Sequence, residues 1–219
     1  MISGTTILAC WSGLQEEEGT VRVSPDGCRD LILRMDLAKR PVWFISGLQE
    51  HTYDVAVASG ASFHGFRLRP GTILDDERLL NSLRERDPEP DQALPLINEF
   101  SRLCPKVEEM LACLAEASSI DTAAKQLGVP PRQLQRFSMH HTQQSPGYWL
   151  RLARVRRAAR AVLKPVDSGR EPLAAVAADH YYADQAHMTR DFRRWLGTTP
   201  TALRTDPELA AQLMESGYG

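Results

Sequence analysis

Two stretches of this 219-residue chain put Arg, Gln and His on one side of what reads as a helix. In the first, Arg132, Gln135 and Arg136 stand at i, i+3 and i+4, opposite Leu134 and Phe137. In the second, Ala186, His187, Arg190, Arg193 and Arg194 share a face, opposite Met188, Phe192, Trp195 and Leu196. A guanidinium can grip guanine O6 and N7 with two hydrogen bonds, and a glutamine amide can do the same for adenine. The residue types therefore suit the reading of base edges in a duplex.

The elements that must position these side chains repeat. In a first unit, about 120–141, Ala123, Ala124 and Leu127 face inward on a short helix that stops at Gly128, and Pro130 and Pro131 favour the opening of the next. In a second unit, about 172–197, Leu173, Val176 and Ala177 pack on the first helix, Asp184 caps the second and Gly197 ends it. Thr199 and Pro200 then start a short helix through Leu203. Between the units a helix of about 146–163 carries an apolar stripe of Tyr148, Leu152, Val155, Ala159 and Val162, which turns Arg154, Arg157 and Arg160 away from it. Those three, with Arg193 and Arg194, are the candidate phosphate contacts; plain solvation of the helix face is the competing role for the three. Two helix-turn-helix units separated by one rigid helix suit two successive major grooves.

Charge follows the same division. Residues 1–105 hold 11 Lys+Arg against 16 Asp+Glu, residues 106–205 hold 15 against 9, and the tail has none against 3, so a formal net charge of -2 hides a basic segment. A basic half beside an acidic half points to a polyanion-binding module joined to something else. Cys10, Cys28, Cys104 and Cys113 show no CxxC spacing and no His at zinc-finger intervals, which reads as reduced thiols in a cytoplasmic protein. No run approaches the length of a membrane span.

The length allows two domains, here 1–100 and 105–205 with a tail of 206–219. Val21–Val23, Leu31–Met35, Val42–Ile45, Tyr53–Val57 and Phe63–Arg69 read as strands, with a tight turn at Ser24-Pro25-Asp26-Gly27. The expected fold class is α+β with two domains: a small β-rich barrel or sandwich, then an all-α tandem helix-turn-helix domain. From Asp75 to Pro105, prolines and charges predict a surface connection containing one short helix near 76–86. After it, Val107, Met110, Leu111 and Leu114 predict a helix under the first unit.

The stretch 105–205 resembles the AraC/XylS family of bacterial transcription regulators. Ala123 to Phe137 looks like that family's first unit, and Asp184 to Arg204, DQAHMTRDFRRWLGTTPTALR, like its closing signature. The resemblance implies that Arg132, Gln135, Arg136, Gln185, Ala186 and Arg190 approach bases; Gln185 is its addition to the helical-face reading. The family commonly has glycine where this chain has Gln143 and Tyr181. VRVSPDGCRDLIL at 21–33 and HGFRLRPG at 64–71 look like the cupin-like sensing or dimerisation domain found ahead of some such modules. The partners implied are double-stranded promoter DNA and RNA polymerase, with a small-molecule effector and a second copy of the chain.

Within the β-rich half, Trp43, Tyr53 and Phe66 are the candidates to line an effector pocket, with core filling as the competing role. One rival function is a metal-dependent cupin-type enzyme or sensor. It has only His51 and His64 to build on, without an HxH pair, so neither a metal, a cofactor nor catalysis is expected. The other rival is a protein-interaction adaptor built on the helical half.

Overall fold

A computed structural model describes residues 5–37, 39–166 and 169–219. The chain divides into two compact units, one of residues 1–21, 28–48 and 54–108, the other of residues 22–27, 49–53 and 109–219. In chain order the elements of the first half are β1 (Ile7–Leu14), β2 (Gly19–Val23), β3 (Asp30–Met35), β4 (Val42–Ile45), β5 (Tyr53–Val57), β6 (Ser62–Leu68), β7 (Ile73–Leu74), α1 (Asp76–Arg84), α2 (Ala93–Phe100) and β8 (Ser101–Arg102). Then follow α3 (Pro105–Glu116), α4 (Ile120–Gln126), α5 (Pro131–Thr142), α6 (Pro146–Leu163), β9 (Pro165–Val166), β10 (Gly169–Arg170), α7 (Leu173–Asp179), α8 (Gln185–Leu196), α9 (Pro200–Leu203) and α10 (Pro207–Met214). The α+β class is as the sequence implies.

The first unit is built on a four-stranded antiparallel sheet in the order β1-β6-β3-β4; β2 with β5, and β7 with β8, pair as separate ribbons. Alternation sends Leu31, Leu33, Trp43, Phe66 and Leu68 to one face, where Leu79 and Leu83 of α1 and Ala93, Leu96 and Ile97 of α2 close the core. This corrects the reading of 75–105 as a surface connection. Its prolines open helical turns instead of interrupting them: Pro90 begins a 3-10 turn, Pro95 lies in the first turn of α2 and Pro105 starts α3.

Strand β1 carries no strong β pattern in its sequence, ILACWSGL. Its hold on the sheet is Trp11, paired across from Gly65 of β6, with its indole Nε1 donating to Asp30 Oδ2 at 2.9 Å. Arg67 Nε lies 3.5 Å from the other oxygen of Asp30. A Cβ on Gly65 would run into the Trp11 ring.

The second unit gathers around α6, which packs against α4, α5, α7, α8, α9 and α10. Ala153, Arg156 and Ala158 are buried as well as the expected stripe, so this helix is enclosed on nearly all sides. Arg156 has no exposed surface and donates to the carbonyls of Pro25 (3.2 Å) and Glu215 (3.3 Å). The predicted turn ending at Gly27 forms with φ +73°, and a Cβ there would meet Tyr218 Cβ at 2.8 Å. Tyr218 in turn donates from its N–H to Asp26 O (2.8 Å) and from its hydroxyl to Leu111 O (2.8 Å). Residues 206–219, set apart from sequence as a tail, thus contribute α10 and buried Leu209, Leu213 and Tyr218 to this unit.

Gly65→Ala should destabilise the first unit by about 2 kcal/mol, the scale of overpacking a tight contact. Denaturant unfolding followed by Trp fluorescence checks this, and a variant of unchanged midpoint would contradict the Trp11–Gly65 contact.

Candidate nucleic-acid interface

Each of the two helix pairs is shaped by its caps. Ser119 accepts from Thr122 N at the start of α4, and Gly128 after its end is left-handed at φ +66°. Pro131 opens α5. Asp184 accepts from His187 N at 2.6 Å to start α8, Gly197 ends it at φ +64°, and Thr199 accepts from Ala202 N to start α9.

On α5, Arg132, Gln135 and Arg136 are exposed and Leu134 is buried. Phe137, expected in the buried stripe, is only half-buried. It lies against His141, ring centroids 4.4 Å apart, and with Gln133, Arg136, His140 and His141 lines a shallow concavity of about 430 Å³. The inward positions are 134, 138 and 142. Ser138 and Thr142 can be buried because Ser138 Oγ donates to Gln144 O at 2.6 Å and Thr142 Oγ1 to Ser138 O at 2.9 Å, while Trp149 Nε1 donates to Thr142 Oγ1 at 2.9 Å. Sequence periodicity looks for apolar residues and passes over such a network.

On α8, Gln185, Ala186, Arg190, Arg193 and Arg194 are exposed while Met188, Phe192, Trp195 and Leu196 are buried. His187 is half-buried and turned back on the preceding turn, where its Nδ1 accepts from Ala183 N (3.4 Å) and its ring stands edge-on to Tyr182. Among the described residues, Arg132, Arg136, Arg190, Arg193 and Arg194 make no ion pair.

The arginines of α6 are placed differently. Arg154 donates to Ser118 O (2.9 Å) and sits over the Tyr182 ring; Arg157 pairs with Glu116 at 2.7 Å. Arg160 donates to the carbonyls of Leu213 and Gly219, and its burial lowers its pKa. All three are partly buried, tied within the unit. Arg204, in the closing signature, likewise donates to Glu171 O at 2.7 Å.

Trp43 and Phe66 lie stacked in the core of the first unit, centroids 6.4 Å apart, and Tyr53 belongs to the second unit. His51 is exposed and His64 is half-buried on β6.

Gln143 and Tyr181 both adopt left-handed backbone, φ 57° and 60°. The chain keeps a glycine-type turn without glycine, and a side chain with a Cβ is strained there by about 1 kcal/mol. Tyr181 is 51% exposed, so little packing compensates.

Residues 123–206, less than half of the chain, match the family model of a helix-turn-helix domain. No curated protein is similar enough in sequence to count as a relative. Among solved structures, the C-terminal domain of AraT, a response regulator from Geobacillus stearothermophilus, is 24% identical over 48% of this chain and 87% of its own, with TM-score 0.42. A transcriptional regulator of Chromobacterium violaceum, described among AraC-type DNA-binding domain-containing proteins, is 25% identical over 46% of this chain and 86% of its own, with TM-score 0.37. ToxT from Vibrio cholerae O395 is 7% identical over 95% of this chain and 98% of its own, with TM-score 0.50, a likeness of fold. Among the described residues no helix is long and apolar enough to cross a membrane.

Two expected outcomes follow from the second helix pair. Tyr181→Gly should be more stable than Tyr181→Ala by about 1 kcal/mol, because only glycine relieves the left-handed strain; equal urea midpoints would contradict it. Burial, assisted by Arg157, holds the His180 imidazole below the ordinary value of 6.5. The unfolded chain therefore protonates first on acidification, so this residue costs nothing above that pH and destabilises below it. His180→Gln should lose less stability than the parent between pH 7.5 and 5.5, read from urea unfolding.

The capped helix pairs and the family match identify residues 123–206 of this chain as a helix-turn-helix domain.

Proposed function

We propose that this DNA-binding transcription regulator reads specific promoter sequence with both helix pairs, α5 and α8 entering successive major grooves of one duplex. Arg132, Gln135 and Arg136 would meet bases in the first groove and Gln185, Ala186 and Arg190 in the second, with Arg193 and Arg194 on flanking phosphates. The observation that carries this reading is the matched exposure of the two helices: each buries an opposite face in the unit and leaves its Arg and Gln side chains in solvent. His187, folded back on its turn, is assigned the support of the turn ahead of base reading. The contacts of Arg154, Arg157 and Arg160 support a packing role in place of phosphate binding. The β-rich half is then the place for a controlling signal or a second copy of the chain, and Trp43 and Phe66 serve its core.

The test is selection from a randomised duplex library, followed by binding at several salt concentrations. Arg136→Ala and Arg190→Ala should each cost about 1 to 3 kcal/mol on the selected duplex and relax preference at separate positions. Arg193→Ala should weaken all duplexes alike and flatten the salt dependence by about one phosphate contact, while Arg157→Ala leaves that slope unchanged. Loss of preference at the same positions for Arg136→Ala and Arg190→Ala would refute the two-groove assignment.

A further inference from the structure

The second recognition helix is held at its C-terminal end by a residue from far upstream in the sequence. Thr52 directs both its main-chain N–H and its hydroxyl to the carbonyl of Trp195, at 2.9 and 3.0 Å. That carbonyl lies in the last turn of α8, where a helix has no N–H of its own to offer. Three residues before Thr52, the carbonyl of Gln49 accepts from the hydroxyl of Tyr148 on α6 at 2.9 Å. The ring of Tyr148 also packs on Trp195, centroids 5.5 Å apart. Residues 49–53 belong to the helical unit, and within it the segment 49–52 is a staple joining α6 to α8.

The staple sits where a small displacement is transmitted. Helix α8 has 12 residues, and Arg190 lies five before Trp195, so a slide or rotation of the helix released at its C-terminal end also moves that guanidinium. A two-bond grip on a base edge tolerates misplacement of only about 0.5 Å. The buried Met188, Phe192, Trp195 and Leu196 set which face of α8 points inward. Apolar contacts are non-directional, however, and leave the axial position to directed bonds. The N-terminal cap of α8 comes from Asp184 in its own turn; Thr52 is the anchor that comes from outside the helix pair.

We infer that Thr52 is a positioning residue for DNA reading by the second unit: through the Trp195 carbonyl it sets where Gln185, Ala186 and Arg190 meet the base edges. This rests on the reading of α8 as a recognition helix given above. Thr52→Val removes the hydroxyl donor and leaves the N–H bond, so the carbonyl is not orphaned and the chain folds.

The experiment uses the full chain and duplexes selected from a randomised library by the parent protein. Arg190→Ala first marks the base pairs read by α8. Thr52→Val should then reduce preference at those base pairs by about three- to tenfold, the scale of one neutral hydrogen bond. It should leave the base pairs marked by Arg136→Ala unchanged, as should Tyr148→Phe, which removes the other end of the staple. Thr52→Ser, which keeps the hydroxyl, should restore the parent profile. Full preference in Thr52→Val at base pairs that Arg190→Ala abolishes would overturn the inference while leaving α8 as a reader. A uniform loss at both sets of base pairs, accompanied by a lowered melting temperature, would also overturn it, since it marks a merely structural role. If Arg190→Ala marks no base pairs, the recognition-helix reading itself has failed.

Discussion

A guanidinium with no exposed surface must have its N–H groups met by oxygens, and Arg156 on α6 sets that demand at the centre of the helical unit. The carbonyls of Pro25 and Glu215 answer it. Neither comes from the helix pairs that define the domain in sequence: one lies in a turn 131 residues earlier, the other past the end of α10. Since leaving a buried charge short of partners costs up to about 3 to 5 kcal/mol, both segments stabilise α6 in place when folded against it. The helices of both pairs pack on α6, so their placement depends on oxygens supplied from outside the two pairs.

What was legible in the sequence was whatever has a local cause. Gly27, Gly128 and Gly197 adopt the positive φ expected of them, and the caps Asp184 and Thr199 hold the N–H groups one turn on. Strands β4 and β5 fall where β-branched and aromatic residues cluster. The misreadings all have non-local causes. Strand β1 is held by Trp11 over Gly65, more than fifty residues away. The core role of 75–105 was hidden because prolines and charges that look like a linker sit at helix openings around Leu79, Leu83, Leu96 and Ile97.

The site shows the same division. That Arg132, Gln135, Arg136 and Arg190 are exposed followed from helical spacing, since their own neighbours Leu134, Met188 and Phe192 supply the buried face. Ser138 and Thr142 gave no apolar signal, yet they take inward positions because their hydroxyls find a carbonyl at Gln144. The α6 arginines were misleading in the opposite sense. On a helix with one buried stripe they would be free, but α6 is enclosed, and Arg154, Arg157 and Arg160 must satisfy their donors inside the unit. Periodicity reports which side of a helix is apolar, and it is silent on how many neighbours cover the other sides.

That enclosure also changes how the charge of the helical half should be weighed. Fifteen Lys and Arg between residues 106 and 205 look like a strong electrostatic footprint. Among the described residues, Arg154, Arg156, Arg157, Arg160 and Arg204 are occupied by carbonyls or by Glu116, while the arginines of α5 and α8 are exposed. Affinity that rises from phosphate neutralisation scales with the number of such cations, so a small number gives a shallow salt dependence and weak attachment to random sequence. On the proposed two-groove reading, such a regulator would rely more heavily on base contacts for its grip. Their geometry would then have to be held firmly, by the Asp184 cap of α8, the network around Ser138 and Thr142, and the carbonyls that seat α6.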